Sequence, residues 1–338
     1  MDYDLPSIAP IRIHAGKPRG IDEHLRRRLG DRVAVHALDP EDAPAIAQIR
    51  ATVRPQKGAP WKIESRKSYD ALMEGVSPRD DVTFESATVG GVPGVWVRPA
   101  SSRSDEAILH VHGGWFVSGS ATAYRHLVGH IAARAGASAF VPDYRLAPEH
   151  PFPAAVDDVL ATYRGLDDSG IRRIAVTGDS AGGNLALVLA SCVAGKAVVA
   201  NATLVAVAAF SPVTDLTLSG ATYETRADAD LYFTKQQVAA LVHSYLGNAD
   251  PNDPLASPLQ GRVSGLLPIR IHVGDDEVLL DDSRRYVERA VAGGVDARLD
   301  VWTGMPHGFV AIIGPIKAST QALDAVGLFL NDSFKGQR

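Results

Sequence analysis

From Asp81 onward the apolar positions fall into short β-branched runs set apart by stretches with helical spacing. Val82–Val89 and Val92–Val97 flank the pair Gly90-Gly91, a pattern that predicts an antiparallel hairpin. Further strands are predicted at Ile108–Val111, Ala137–Val141, Ile174–Val176, Leu204–Phe210, Ile269–Val273 and Ala297–Trp302. Helical patterns lie between most of them, for example at Tyr124–Ala135, Pro153–Tyr163 and Ser283–Ala292. Strand and helix alternating in this way predict an α/β protein built on a mostly parallel sheet.

Two segments stand outside the alternation. Residues 1 to about 75 carry a basic patch at His24–Leu29 and helical patterns at Pro44–Val53 and Ser65–Met73. Between Pro212 and about Gly265, roughly fifty residues hold a helical pattern at Lys235–Leu246 and no good strand. An insertion there would sit on the carboxyl edge of the sheet, where open α/β sheets bind their ligands.

Composition narrows the class without choosing a function. Of 338 residues, 46% are hydrophobic and 22% charged, which is an ordinary globular balance and argues against long disorder. A net charge of −5 gives no electrostatic case for nucleic acid or an anionic membrane as partner. The single cysteine, Cys192, excludes an internal disulfide and a thiolate metal cluster. The first residues lack a basic region followed by an apolar run, and no stretch offers about 18 uninterrupted apolar residues, so the expectation is a soluble cytoplasmic protein.

The chemistry gathers around Ile171–Val193. There an apolar strand runs through Gly178-Asp179-Ser180-Ala181-Gly182-Gly183 into an apolar helix. This is G-x-S-x-G in its strand–turn–helix setting, where small neighbours let a strained turn push the serine hydroxyl out above the sheet. Ser180 is therefore the candidate nucleophile. After the strand Ile108–Val111 comes His112-Gly113-Gly114-Trp115-Phe116, whose glycines would free backbone N–H groups for an oxyanion hole, with Ala181 N–H as a further donor. The base must come later in the chain, and only His243, His272 and His307 follow Ser180. His243 falls in a helix of the insertion and His272 inside a strand. His307, in the loop after the last strand, is the candidate general base. The acid belongs after Ile269–Val273, where Asp275, Asp276, Glu277, Asp281 and Asp282 crowd together and residue chemistry alone does not choose.

His112-Gly113-Gly114, Asp143 through Ala155, Gly178 through Gly183 and Asp276 through Ser283, in that order, resemble the hormone-sensitive-lipase-like, or bacterial family IV, esterases. Ser211-Pro212-Val213-Thr214-Asp215-Leu216 is similar to the stretch before that family's cap insertion. The resemblance implies an α/β-hydrolase fold with a helical cap. Residues 1–80 and 213–264 would form the cap, and residues 81–212 and 265–338 the catalytic core. It implies hydrolysis of small, short-acyl carboxylic esters without cofactor or metal, and a homodimer as a frequent assembly. A lactone or amide hydrolase would use the same residues, and a non-catalytic receptor on this scaffold is the competing class.

In the family the acid precedes the histidine by about thirty residues, which selects Glu277, with Asp276 as the alternative. Gly113, Gly114, Trp115 and Ala181 would supply the oxyanion hole, while Phe116 and Asp179 would contact substrate. Trp115 replaces the usual third glycine of the family's motif, which implies altered acyl or alcohol selectivity. A bulky residue also avoids the positive φ that a glycine accepts. Asp143 through Pro153 is expected to serve structure, with Asp143 and Arg145 bonding the loops below the site.

Overall fold

The structure is a computed structural model, and it describes residues 28–336; the basic patch His24–Leu29 therefore lies mostly outside the described residues. Among the described residues there are nine strands: β1 Val33–His36, β2 Val82–Val89, β3 Val92–Pro99, β4 Glu106–Val111, β5 Ser138–Pro142, β6 Arg173–Asp179, β7 Thr203–Phe210, β8 Ile269–Gly274 and β9 Ala297–Trp302. They form one sheet in the order β1-β9-β8-β7-β6-β4-β5-β3-β2. The hairpin β2–β3 is antiparallel, β3 meets β5 antiparallel, and every other pairing is parallel.

Each predicted strand is present. The central ones are apolar nearly end to end because both faces of the sheet are covered. Side chains alternate between the faces, so neighbouring residues serve different layers. Leu109, Val111, Val176 and Val207 pack with Leu185, Leu189 and Tyr286 of the helices Ala181–Ala194 and Leu280–Ala292. Ile108, Ala175, Ala206 and Ala208 pack on the other side with Leu127, Ile131, Leu323 and Val326 of the helices Ala121–Ala135 and Lys317–Lys335.

Register decides where the loops emerge. Val111 pairs with Gly178, Asp179 with Phe210, Phe210 with His272, and Gly274 with Trp302. The turns after β4, β6, β7, β8 and β9 consequently leave the same carboxyl edge of the sheet. All the candidate residues ride on those turns.

The N-terminal segment is not helical throughout. Val33–His36 adds a parallel edge strand to β9, held where His36 stacks on Trp302 (3.9 Å between centroids) and bonds Asp300 (2.7 Å). The part around β1 thus belongs to the sheet rather than to a cap. Beyond it come the helices Ala43–Val53 and Ser65–Glu74, close to their predicted limits. The insertion spans residues 211–268 and contains the helix Lys235–Leu246, capped by Thr234 Oγ1, which accepts from Gln237 N–H. Segment and insertion are laced together. Lys57 Nζ donates to the carbonyls of Ala227 and Asp230, Gly58 N–H to Tyr232 O, Arg50 to Ala229 O and Gln237 to Ala59 O.

Candidate active site

Ser180 stands between the end of β6 and the first turn of the helix Ala181–Ala194, at φ 54° and ψ −119°. A serine held there stores strain of roughly 1–3 kcal/mol, tolerated because the flanking structure fixes it. Ser180 N–H donates to Phe210 O (2.8 Å), and Ser180 O accepts from Asn184 N–H (3.1 Å) and Val213 N–H (3.2 Å). The elbow has no room for larger neighbours. A Cβ on Gly182 would lie 1.9 Å from Val111 O. Ser180 is itself only 3% exposed.

His307 follows β9, and its Nδ1 is 2.8 Å from Glu277 Oε2. Glu277 is fully buried, and its second oxygen accepts from Ser211 Oγ (2.7 Å) and Gly274 N–H (2.7 Å). A buried carboxylate is stable only when its oxygens are bonded. Here both are, which fixes the imidazole tautomer with the proton on Nδ1 and leaves Nε2 as the basic nitrogen. Asp276, one residue earlier, turns the opposite way and pairs with Arg50 of the helix Ala43–Val53 (2.7 Å). Of the two carboxylates considered, Glu277 is the one that meets the histidine. Burial pulls the His307 pKa down, but the Glu277 charge and hydrogen bond, with help from Asp230 and Asp179, outweigh it and hold it above the ordinary value. Among the described residues no hydrogen bond joins Ser180 Oγ to His307. His243 is exposed on its helix, and His272 is buried in β8, accepting from Trp302 Nε1 (3.2 Å).

The loop after β4 carries three consecutive residues at positive φ: Gly114 (115°), Trp115 (53°) and Phe116 (63°). Trp115 therefore adopts the conformation a bulky residue avoids. Two such residues cost on the order of 1–3 kcal/mol each, so the loop needs contacts that hold it. Phe116 supplies one, buried and stacked on Tyr245 of the helix Lys235–Leu246 at 3.8 Å between centroids. That position corrects its expected part in substrate contact, because its ring is covered by the insertion. Trp115, 6% exposed, packs edge-on against Phe233 (5.3 Å), and Phe233 packs edge-on against His307 (5.2 Å).

Gly113 and Asp179 also do something other than expected. Gly113 N–H donates to Asp179 Oδ1 (3.0 Å), so that amide is occupied and is not an oxyanion donor. Asp179 Oδ2 accepts from Tyr124 OH (2.9 Å), leaving neither oxygen of Asp179 turned to a substrate. A Cβ on Gly113 would lie 2.3 Å from that carboxylate, which is why the position must be glycine. Burial pushes the Asp179 pKa up to about 6, against the pull of Tyr124, His307 and the Gly113 amide. The amides of Gly114, Trp115 and Ala181 differ from that of Gly113 in donating to no acceptor among the described residues. Three unclaimed donors surround the carboxyl edge beside Ser180.

Several supporting residues carried no signal beyond their place next to a motif. Ser211 directly follows β7, and Asp230 of the insertion accepts from Val278 N–H, Tyr232 N–H and Phe233 N–H at 2.8 Å each. Asp143 and Arg145 behave as expected: Asp143 Oδ1 accepts from Ala121 N–H (2.6 Å) and Arg145 pairs with Asp158 (2.8 Å). Among the described residues no cluster of His, Cys, Asp or Glu is arranged to hold a metal ion. No helix among them is long and apolar enough to cross a membrane.

A mostly parallel sheet with a serine elbow after β6, a carboxylate after β8 and a histidine after β9 defines an α/β-hydrolase. The alpha/beta hydrolase fold family model matches residues 108–311. An acetyl-hydrolase of Streptomyces hygroscopicus is 34% identical over 277 residues, 80% of this chain and 90% of the relative. An esterase of Acinetobacter venetianus is 33% identical over 267 residues, covering 78% and 87%. The crystal structure of EstE5 soaked with ethyl alcohol superposes with a TM-score of 0.81 at 36% identity, covering 88% of this chain and 100% of that one. An esterase from the bacterial hormone-sensitive lipase family gives 0.80 at 36% identity, covering 88% and 99%. The chain belongs to the bacterial hormone-sensitive-lipase-like esterases, and it is an esterase.

Proposed function

We propose that the chain is a serine carboxylesterase for small, short-acyl esters and that it works through an acyl-enzyme. His307 Nε2 takes the proton of Ser180 Oγ as that oxygen attacks the ester carbonyl. Glu277 keeps the imidazole oriented and stabilises the imidazolium formed in the step. The N–H groups of Gly114, Trp115 and Ala181 receive the oxyanion. His307 then protonates the departing alcohol, and water, activated by the same histidine, releases the acid. The helices Ala43–Val53 and Ser65–Glu74 with the insertion after β7 form the cap, and Trp115 with Phe233 bounds the acyl space, which suits short chains.

What supports this most is the bond of His307 to a fully buried Glu277 at 2.8 Å. A carboxylate placed there without a histidine to serve would be a costly fixture. The test is a stopped-flow trace with p-nitrophenyl acetate. The wild type should release a burst of p-nitrophenol stoichiometric with enzyme, and Ser180→Ala should give none. A burst that survives in Ser180→Ala contradicts the assignment.

A further inference from the structure

The oxyanion loop is gripped from outside the catalytic core. Trp61 Nε1 donates to Ser118 Oγ (3.0 Å), and Arg66 Nε donates to Val117 O (2.7 Å). Ser120 Oγ, which caps the helix Ala121–Ala135, donates to Asp70 Oδ2 (3.2 Å). From the other side, Tyr69 OH lies 2.6 Å from Tyr124 OH, and Tyr124 OH donates to Asp179 Oδ2. Because the one Tyr124 proton goes to Asp179, Tyr69 is the donor of the pair. The chain of bonds therefore runs Tyr69 to Tyr124 to Asp179 and ends on Gly113 N–H, at the root of the loop. Arg66 is in turn braced by Glu149 (2.7 Å) and by Ala147 O (2.8 Å).

These contacts come from ten consecutive residues, Trp61–Asp70, that precede the residues the family model matches. They meet a loop whose backbone does not favour its own conformation, with Trp115 and Phe116 both at positive φ. We infer that the stretch Trp61–Asp70 is the positioning element of the oxyanion hole, with Arg66 and Tyr69 acting on the loop and Asp179 as the positioning residue through which Tyr69 reaches Gly113. The inference rests on the esterase mechanism above and adds the parts that set its geometry. It also gives the N-terminal segment a task in the chemical step and not only in covering the site.

The experiment compares wild type with Asp179→Ala, Asp179→Asn, Arg66→Met and Tyr69→Phe, each normalised to active sites titrated with a fluorophosphonate. Two quantities are read: kcat and KM for p-nitrophenyl acetate, and Ki for a short-chain trifluoromethyl ketone, which forms a tetrahedral oxyanion. Loss of a properly placed oxyanion donor is worth about 10²–10³-fold in turnover, and Asp179→Ala should approach that range. Its Ki should rise by a matching factor while KM moves no more than about threefold. Asp179→Asn should recover most of the loss, because the amide oxygen still accepts from Gly113 N–H and its Nδ2–H donates to Tyr124, whose own proton then turns to Tyr69. Arg66→Met and Tyr69→Phe change half-buried side chains and should lower kcat and weaken the ketone together, by about 3- to 30-fold. Should Asp179→Ala yield no folded protein, these two carry the test alone. A kcat and a ketone Ki unchanged in both would overturn the inference, as would a fall in kcat without loss of ketone affinity. Ser180→Ala serves as control: if it keeps turnover, the esterase mechanism itself is wrong, whereas a dead Ser180→Ala beside unaffected loop variants refutes only the positioning role.

Discussion

The two walls of this site are built differently. On one, Ser180, Glu277 and His307 sit on turns directly after strands, and the bonds that fix them come from nearby turns: Ser211 and Gly274 hold Glu277, and Glu277 holds His307. On the other, the loop Gly113–Ser118 has strained backbone and depends on Trp61, Arg66 and Tyr69, and on Tyr245 of the insertion. The first wall is a property of the sheet, and the second a property of what lies over it. Under the proposed mechanism the hydrolase core keeps nucleophile and base fixed while the stretch Trp61–Asp70 and the insertion set the fit around the acyl group.

The largest effect should come from the first wall. Glu277→Gln removes the anion that orients His307 and should lower kcat/KM by roughly 10³–10⁴-fold. Asp276→Asn, which breaks only the pairing with Arg50, should stay within about tenfold. Steady-state rates with p-nitrophenyl acetate decide, and the reverse order would mean that Asp276 is the acid.

The second wall should speak through selectivity. Trp115→Gly relieves the positive φ but deletes the ring that packs on Phe233. It should shift the ratio of kcat/KM between long and short acyl esters toward the longer by roughly tenfold. An unchanged chain-length profile would remove Trp115 from the acyl site.

A smaller effect separates the walls by pH. His307 must be neutral to act as base, and its pKa is raised, so kcat/KM should fall with acidification through a midpoint above the usual histidine value of about 6.5. In Glu277→Gln the chief raising influence is gone and burial is opposed only by Asp230 and Asp179, so the residual activity should keep its acid limb at lower pH than wild type. Arg66→Met should leave that midpoint in place. Smallest of all is His36→Ala, which loses the Asp300 bond and the Trp302 stack on the edge strand. Denaturant unfolding should register about 1–2 kcal/mol, with turnover unchanged, because that end of the N-terminal segment serves the sheet and not the loop.

Much of the first wall was legible in the chain. Strand–turn–helix around Ser180 and the late loop histidine follow from local pattern, and the helix Lys235–Leu246 was placed to the residue. What local pattern does not carry is direction. Asp276 and Glu277 are neighbours in one turn yet face Arg50 and His307, and only the resemblance to the family favoured the second. Gly113, Phe116 and Asp179 flank the reacting atoms in sequence, but their bonding groups point to one another and to the insertion. The strand Val33–His36 is four residues long and pairs with residues more than 260 positions away, so no periodicity announces it. The helix Lys317–Lys335 follows the last strand and so lies outside the strand–helix–strand alternation that marks the other helices. Arg66 and Tyr69 read as ordinary polar positions on an N-terminal helix, since their partners are a distant carbonyl and a distant hydroxyl.

The most direct test of the mechanism is to quench the wild-type enzyme in acid during the p-nitrophenyl acetate burst and to locate the added acetyl group by peptide mass spectrometry. The account predicts acetylation of one peptide, fragmenting to Ser180, that disappears as the burst decays and never forms in Ser180→Ala. An acetyl group on another residue with the kinetics of the burst, or turnover with no acetylated enzyme at any time, would contradict it.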